Sequence, residues 1–151
     1  MVSELEELID AAIYKETASQ AFYIAGQNNT QDYGARALMK ELAEEEVQHT
    51  QGLKNLKERG LEEKLWHCDR VPDLMISEHI MGSSKLVRAN LHDTFVFAVK
   101  REQQAIEFYT RMMWVTRDRV AKRLCHWLAN EELKHKLKLE TFYDDMFYGE
   151  D

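Results

Sequence analysis

Two stretches decide the reading: Leu42-Ala43-Glu44-Glu45-Glu46-Val47-Gln48-His49 and Leu128-Ala129-Asn130-Glu131-Glu132-Leu133-Lys134-His135. Each ends in Glu-x-x-His. An i,i+3 pair projects from one face of a helix, so such a helix offers a carboxylate and an imidazole side by side. Both stretches lie in longer stripes of inward spacing. One stripe is Leu38, Leu42, Glu46, His49, Leu53 and Leu56; the other is Leu124, Leu128, Glu132, His135, Leu139, Phe142 and Met146. Upstream of each runs a partner stripe. The first is Leu5, Leu8, Ala12, Glu16, Ser19 and Tyr23; the second is Phe95, Ala98, Glu102, Ile106, Tyr109 and Met113. Steps of three and four residues mark the buried face of a helix.

Four helices follow. The first is expected from about Glu4 to Gln27, with Ser3 and Glu6 as a capping box. After the turn Asn28-Asn29-Thr30 the second runs to about Arg59 and stops at Gly60. The third spans about Leu91 to Trp114. The fourth begins after Thr116 and ends near Phe147. Between the pairs lies a link of about 30 residues, with Pro72, Gly82-Ser83-Ser84 and room for a short helix near Asp73 to Met81. Two short turns and one long link give an all-α fold: a four-helix bundle of two antiparallel hairpins joined by a crossover. One domain over residues 1–151 is expected, with hairpins over about 3–59 and 91–147 and the crossover over about 60–90.

Four glutamates and two histidines occupy stripe positions that leucine would ordinarily fill. Glutamate is almost never fully buried unless paired or coordinating. An ionised carboxylate in a dry interior costs roughly several kcal/mol even after relaxation. An internal repeat shows that the placement is systematic. Adding 86 to a residue number carries the first hairpin onto the second without a gap: Glu16 onto Glu102, Phe22-Tyr23 onto Phe108-Tyr109, Thr30 onto Thr116, Asp32 onto Asp118, Glu45-Glu46 onto Glu131-Glu132, and His49 onto His135. Of the 47 positions between Ala11 and Lys57, 14 are identical to their counterparts. At about 1.5 Å per residue, Glu16 and Glu46 lie about 20 and 25 Å from the turn near Asn29, at one level of the bundle. Each hairpin therefore supplies half a site, and the halves together form the ligand set of two divalent ions in a helical bundle. Carboxylate with imidazole suits iron or manganese better than copper(I). A metal-free polar network, a mononuclear site and a zinc site are the plainer alternatives.

On these residues the chain resembles the rubrerythrin-type members of the ferritin-like di-iron carboxylate superfamily, over nearly its whole length apart from the crossover. The resemblance implies two iron ions, with manganese or a mixed pair as variants. It implies that Glu46 and Glu132 bridge the metals, that Glu16 and Glu102 are terminal ligands, and that His49 and His135 each cap one metal. It also implies that the hydroxyls of Tyr23 and Tyr109 steady the terminal carboxylates. The implied activity is reduction of hydrogen peroxide or dioxygen, with peroxide detoxification as its use. Two departures stand out. The family's extra glutamate one turn after the third-helix ligand is Ala105 here, with Glu107 five residues past that ligand. The four-cysteine rubredoxin domain is absent, so electrons are expected from an external donor such as a rubredoxin-like protein. Rival readings are a ferroxidase or iron-handling protein, a scaffolding bundle with a structural metal, and an oxygenase.

Other expectations come from the residues alone. Apolar residues at 44% and charged residues at 31% fit a globular chain rather than a disordered one. A net charge of −7 without a basic stripe argues against nucleic acid as a partner. No apolar run reaches the roughly 20 residues of a membrane span, and the acidic start, Met1 to Glu7, does not resemble a signal peptide. A cytoplasmic protein is expected. Cys68 and Cys125 form no Cys-x-x-Cys pair; Cys125 reads as packing, and Cys68 leaves a reactive thiol open. Glu45 and Glu131 read as solvated neighbours of the ligands, and Glu44 and Glu107 as exposed. His67, His79, His92 and His126 read as surface or boundary residues, and the methionines (Met39, Met75, Met81, Met112 and Met113) as filler or interface. Because each hairpin carries half a site and the link is long, a homodimer is expected, with exchange of hairpins as one form of it.

Overall fold

The computed structural model describes residues 3–59 and 89–149. Four helices form: α1 (Glu4–Asn29), α2 (Tyr33–Arg59), α3 (Ala89–Val115) and α4 (Arg119–Tyr148). No strand occurs among the described residues. Helix α1 packs against α2 and α3 against α4, giving the two hairpins of a four-helix bundle. The helices exceed the expected bounds by one or two residues at several ends. The short helix expected near Asp73 to Met81 lies outside the described residues, as do Cys68, His67, His79, Met75 and Met81.

Local chemistry sets the ends. Ser3 Oγ accepts from Glu6 N at 3.1 Å and starts α1. The two hairpin turns use one device twice. In Thr30-Gln31-Asp32, Asp32 Oδ2 accepts from Ala35 N at 2.8 Å, and Asp32 N donates to Thr30 Oγ1. In Thr116-Arg117-Asp118, Asp118 Oδ1 accepts from Val120 N at 2.8 Å and Ala121 N at 3.0 Å, and Asp118 N donates to Thr116 Oγ1. These aspartates satisfy backbone N–H groups that the first helical turn leaves without partners.

The hairpins are joined by mirrored contacts. Lys15 of α1 lies 4.2 Å over the Phe108 ring of α3, and Arg101 of α3 lies 5.0 Å over the Phe22 ring of α1. The repeat relates the two pairs position for position. Glu4 adds a further contact: its Oε2 accepts from Thr116 Oγ1, Arg117 N and Asp118 N, pinning the start of α1 to the α3–α4 turn.

The apolar core is split in two. One cluster holds Tyr23, Met39, Leu42, Phe95, Val99, Leu139 and Tyr143. The other holds Leu8, Ile9, Leu53, Leu56, Tyr109, Leu124, Cys125 and Leu128. Every helix passes from one cluster to the other, and its acidic or imidazole stripe residues lie between. Cys125 is buried, as packing requires. Two findings differ from expectation. His92 is not at the surface; it is buried at 2.7 Å from the Tyr143 hydroxyl and edge-on to Phe147. Helix α4 also buries Lys136 and Glu140, which lie off the expected stripe. No helix among the described residues is long and apolar enough to cross a membrane.

Candidate metal centre

Glu16 of α1, Glu46 and His49 of α2, Glu102 of α3, and Glu132 and His135 of α4 are all buried in the layer between the apolar clusters. Three overlapping groups of donor atoms each lie within 4.8 Å: Glu46, His49 and His135, and two four-residue groups, Glu16, Glu46, His49 and Glu132, and Glu46, Glu102, Glu132 and His135. Glu46 and Glu132 belong to both four-residue groups. The two imidazoles lie parallel, 5.4 Å apart with planes 8° from each other. His135 Nδ1 is 2.8 Å from Glu46 Oε1, 3.6 Å from Glu132 Oε2 and 3.7 Å from Glu102 Oε1. His49 Nδ1 is 3.2 Å from Glu16 Oε1, 3.8 Å from Glu46 Oε2 and 4.0 Å from Glu132 Oε1.

Polar atoms this deep ordinarily find hydrogen-bond partners. Here both carboxylate oxygens of Glu46, both of Glu132, Glu102 Oε2 and His135 Nδ1 have none. Although His135 Nδ1 comes close to Glu46, the approach is not in line for a hydrogen bond. Atoms that converge without bonding one another are what a cation would need, and oxygen with imidazole nitrogen suits a borderline or hard divalent ion. The donor set therefore fits a metal, and these buried Glu and His groups can hold one.

No family model matches this chain, and no curated protein does. One solved structure is similar to it: Hypothetical Protein Pfu-1136390-001 from Pyrococcus furiosus. The two are 25% identical, with a TM-score of 0.67 over 97% of this chain and 92% of that one. That protein's name states no activity.

The electrostatics follow from crowding. Burial pushes the Glu46 carboxyl up to about 8, reinforced by the charge of Glu16. Burial and the charges of Glu102 and Glu16 likewise raise Glu132. Burial opposes the charge of Glu16 too, yet its bond with His49 prevails and holds it at about 2. Glu102 is also lowered against burial, by the closeness of Glu132 and His135 and by the hydrogen bond from Tyr23. Burial works against a charged His49, but Glu131 and Glu16 lift it to about 9; Glu102, Glu45 and Glu46 lift His135 in the same way. Without metal, burial and crowding thus favour the protonated forms of Glu46 and Glu132, and the neighbouring carboxylates favour the charged forms of both imidazoles. Four protons so placed carry the charge that two divalent ions would bring.

Behind each imidazole stands a carboxylate of the opposite hairpin. His135 Nε2 lies 2.8 Å from Glu45 Oε2, and Glu45 is held by Lys138 Nζ at 2.7 Å. His49 Nε2 lies 3.3 Å from Glu131 Oε1, and Glu131 is held by Lys134 Nζ at 2.8 Å. Glu45 and Glu131 are thus half-buried partners of the histidines, not solvated neighbours. An acceptor at Nε2 fixes the ring and directs the Nδ1 lone pair toward the centre. Their identity at matching repeat positions was the signal for this role.

Tyr23 and Tyr109 are both buried beside the layer. Burial and nearby carboxylates raise both phenols, so each keeps its proton. The Tyr23 hydroxyl donates to Glu102 Oε1 across the hairpins. The Tyr109 hydroxyl has no hydrogen-bond partner. Ala105 packs with the apolar cluster that contains Tyr109. Glu107 points to solvent, where it accepts from Gln103; Glu44 and His126 are exposed.

Proposed function

We propose that this chain is a non-haem di-iron oxidoreductase that reduces hydrogen peroxide or dioxygen. The observation that carries the reading is the pair of four-residue donor groups sharing Glu46 and Glu132, with their converging atoms left without hydrogen bonds. Glu16 and His49 would hold one ion, Glu102 and His135 the other, and Glu46 and Glu132 both. An iron pair bound there supplies one electron per ion and Lewis acidity toward the oxidant's oxygen atoms. Turning peroxide into two waters takes two electrons and two protons; the electrons are to be restored by an external one-electron carrier such as a rubredoxin-like protein.

The protein's own groups supply orientation and dryness. Glu45 and Glu131 hold the imidazole Nε2–H groups and leave each Nδ1 facing inward. Tyr23 fixes one oxygen of Glu102 and leaves the other for the ion. The two apolar clusters close the layer above and below, which strengthens every charge interaction inside it. Peroxide removal is the proposed use, and manganese is the alternative metal for the same donors.

Metal analysis of protein purified from its own host should find iron at two per chain. In anaerobic stopped-flow mixing, the iron-loaded, reduced protein should be oxidised faster by hydrogen peroxide than by dioxygen. Equal rates would remove the peroxidase assignment. Stable occupancy with no oxidation by either would leave a structural metal bundle.

A further inference from the structure

The repeat allows the two halves of the centre to be compared atom by atom, and they differ. In the Glu102–His135 half, Tyr23 donates to Glu102 Oε1. Glu102 Oε2 and His135 Nδ1 make no hydrogen bond. The back of the ring is 2.8 Å from Glu45, and Glu45 is 2.7 Å from Lys138. In the Glu16–His49 half, the corresponding Tyr109 hydroxyl touches no acceptor. His49 Nδ1 is already spent on Glu16 at 3.2 Å. The ring's back contact is longer, at 3.3 Å. Where the first half has Lys138, the repeat places Gly52, so the cation beside Glu131 comes from Lys134 of the same helix. The ring environments differ as well: Trp127 lies edge-on to His49 at 5.4 Å, and the repeat places Glu41 at the position that corresponds to Trp127.

We propose that the two metal positions are unequal and that a divalent cation fills the Glu102–His135 position first, because that half is braced from behind with no hydrogen bond between Glu102 and His135, while Glu16 and His49 are hydrogen-bonded to each other. The inference rests on the dinuclear reading and deepens it. At the first position Glu102 and His135 are 3.7 Å apart and held from behind, and the 2.8 Å approach of His135 Nδ1 to Glu46 is not a hydrogen bond, so little rearrangement accompanies binding. At the second, the Glu16–His49 hydrogen bond must open, and Glu16 lacks the tyrosine contact that Glu102 has. A charge-assisted hydrogen bond that must be broken separates the two affinities by about tenfold or more.

Cobalt(II), which is coloured in such donor sets and stable in the divalent state, is the probe. Metal-free full-length protein titrated with it should show two steps with dissociation constants about tenfold or more apart. Crystals grown at one equivalent should give the stronger anomalous peak beside His135. Two variants test the cause. Tyr23→Phe should weaken the first step by about tenfold. Gly52→Lys should tighten the second step and narrow the gap while leaving the first unchanged. A Cβ at position 52 meets no atom within 4 Å, and the site is an exposed helix interior, so this variant should fold.

One step for two ions with equal peaks, or a first ion beside His49, overturns the inequality and leaves the dinuclear reading standing. A single ion beside His135 with no second supports the order and overturns the dinuclear reading. Absence of any cobalt binding overturns both.

Discussion

Glu46 and Glu132 are the residues on which the centre turns, because each belongs to both four-residue donor groups. In the metal-free protein burial and crowding favour their protonated forms, and neighbouring carboxylates favour the charged forms of His49 and His135. Loading two divalent ions should therefore expel about four protons per chain at pH 7, since metals bind the deprotonated forms. Calorimetric titration in buffers of different ionisation enthalpy counts them; release near zero would mean that the carboxyls are ionised beforehand. Glu45 acts at one remove. Removing it in Glu45→Ala leaves His135 Nε2 without its acceptor, and metal affinity should fall about 10- to 100-fold. Competition with a chromophoric chelator measures this, and an unchanged circular dichroism spectrum separates it from unfolding.

At the scale of the elements, the repeated turn Thr-x-Asp carries much of the definition of α2 and α4. Asp118→Ala should lower stability by about 1 kcal/mol through loss of the helix cap, and Asp32→Ala by a similar amount. Urea unfolding of the chelator-treated protein measures both, with the slope unchanged. The four stripes were legible because burial on one face of a helix imposes its period on the sequence. The six candidate ligands were legible for a sharper reason: acids break that period only where something neutralises them, and the same break occurs twice at one offset. Other features were not legible. Glu45 and Glu131 lie one residue off the stripe, and only the approach of the opposite hairpin turns them inward. His92 lies beside a stripe, and its burial depends on Tyr143 and Phe147 from the far end of α4. Lys136 and Glu140 have no like counterparts in the repeat, which pairs them with Thr50 and Lys54.

Seen whole, the molecule is two apolar layers with a titratable layer between them, and its stability must depend on pH. Glu46 holds its proton up to about 8 when folded, against an ordinary 4.5. The stabilisation tied to that proton is present at low pH and is lost as pH rises through 8. His49, raised from 6.5 to about 9, stabilises below 6.5 and ceases to do so as pH rises through 9. Glu16, Glu45 and Glu131, held near 2, stabilise above 4.5 and lose that contribution only as pH falls toward 2. The metal-free protein should thus be most stable between about pH 4.5 and 6.5 and should melt at a lower temperature at pH 9 than at pH 6. Metal should reverse the trend, because protons compete with it. The rise in melting temperature on loading should be larger at pH 9, and calorimetry of both forms at the two values checks the pair of signs.

Gly52 and Lys138 occupy matching places and could hardly be less alike. A true homodimer of one hairpin could not contain that difference, because every substitution would appear on both sides of its axis at once. Covalent fusion lifts the constraint: one copy of a motif can acquire a cation at a place where its twin has none, and a site built from two like halves becomes able to treat two chemically identical occupants differently.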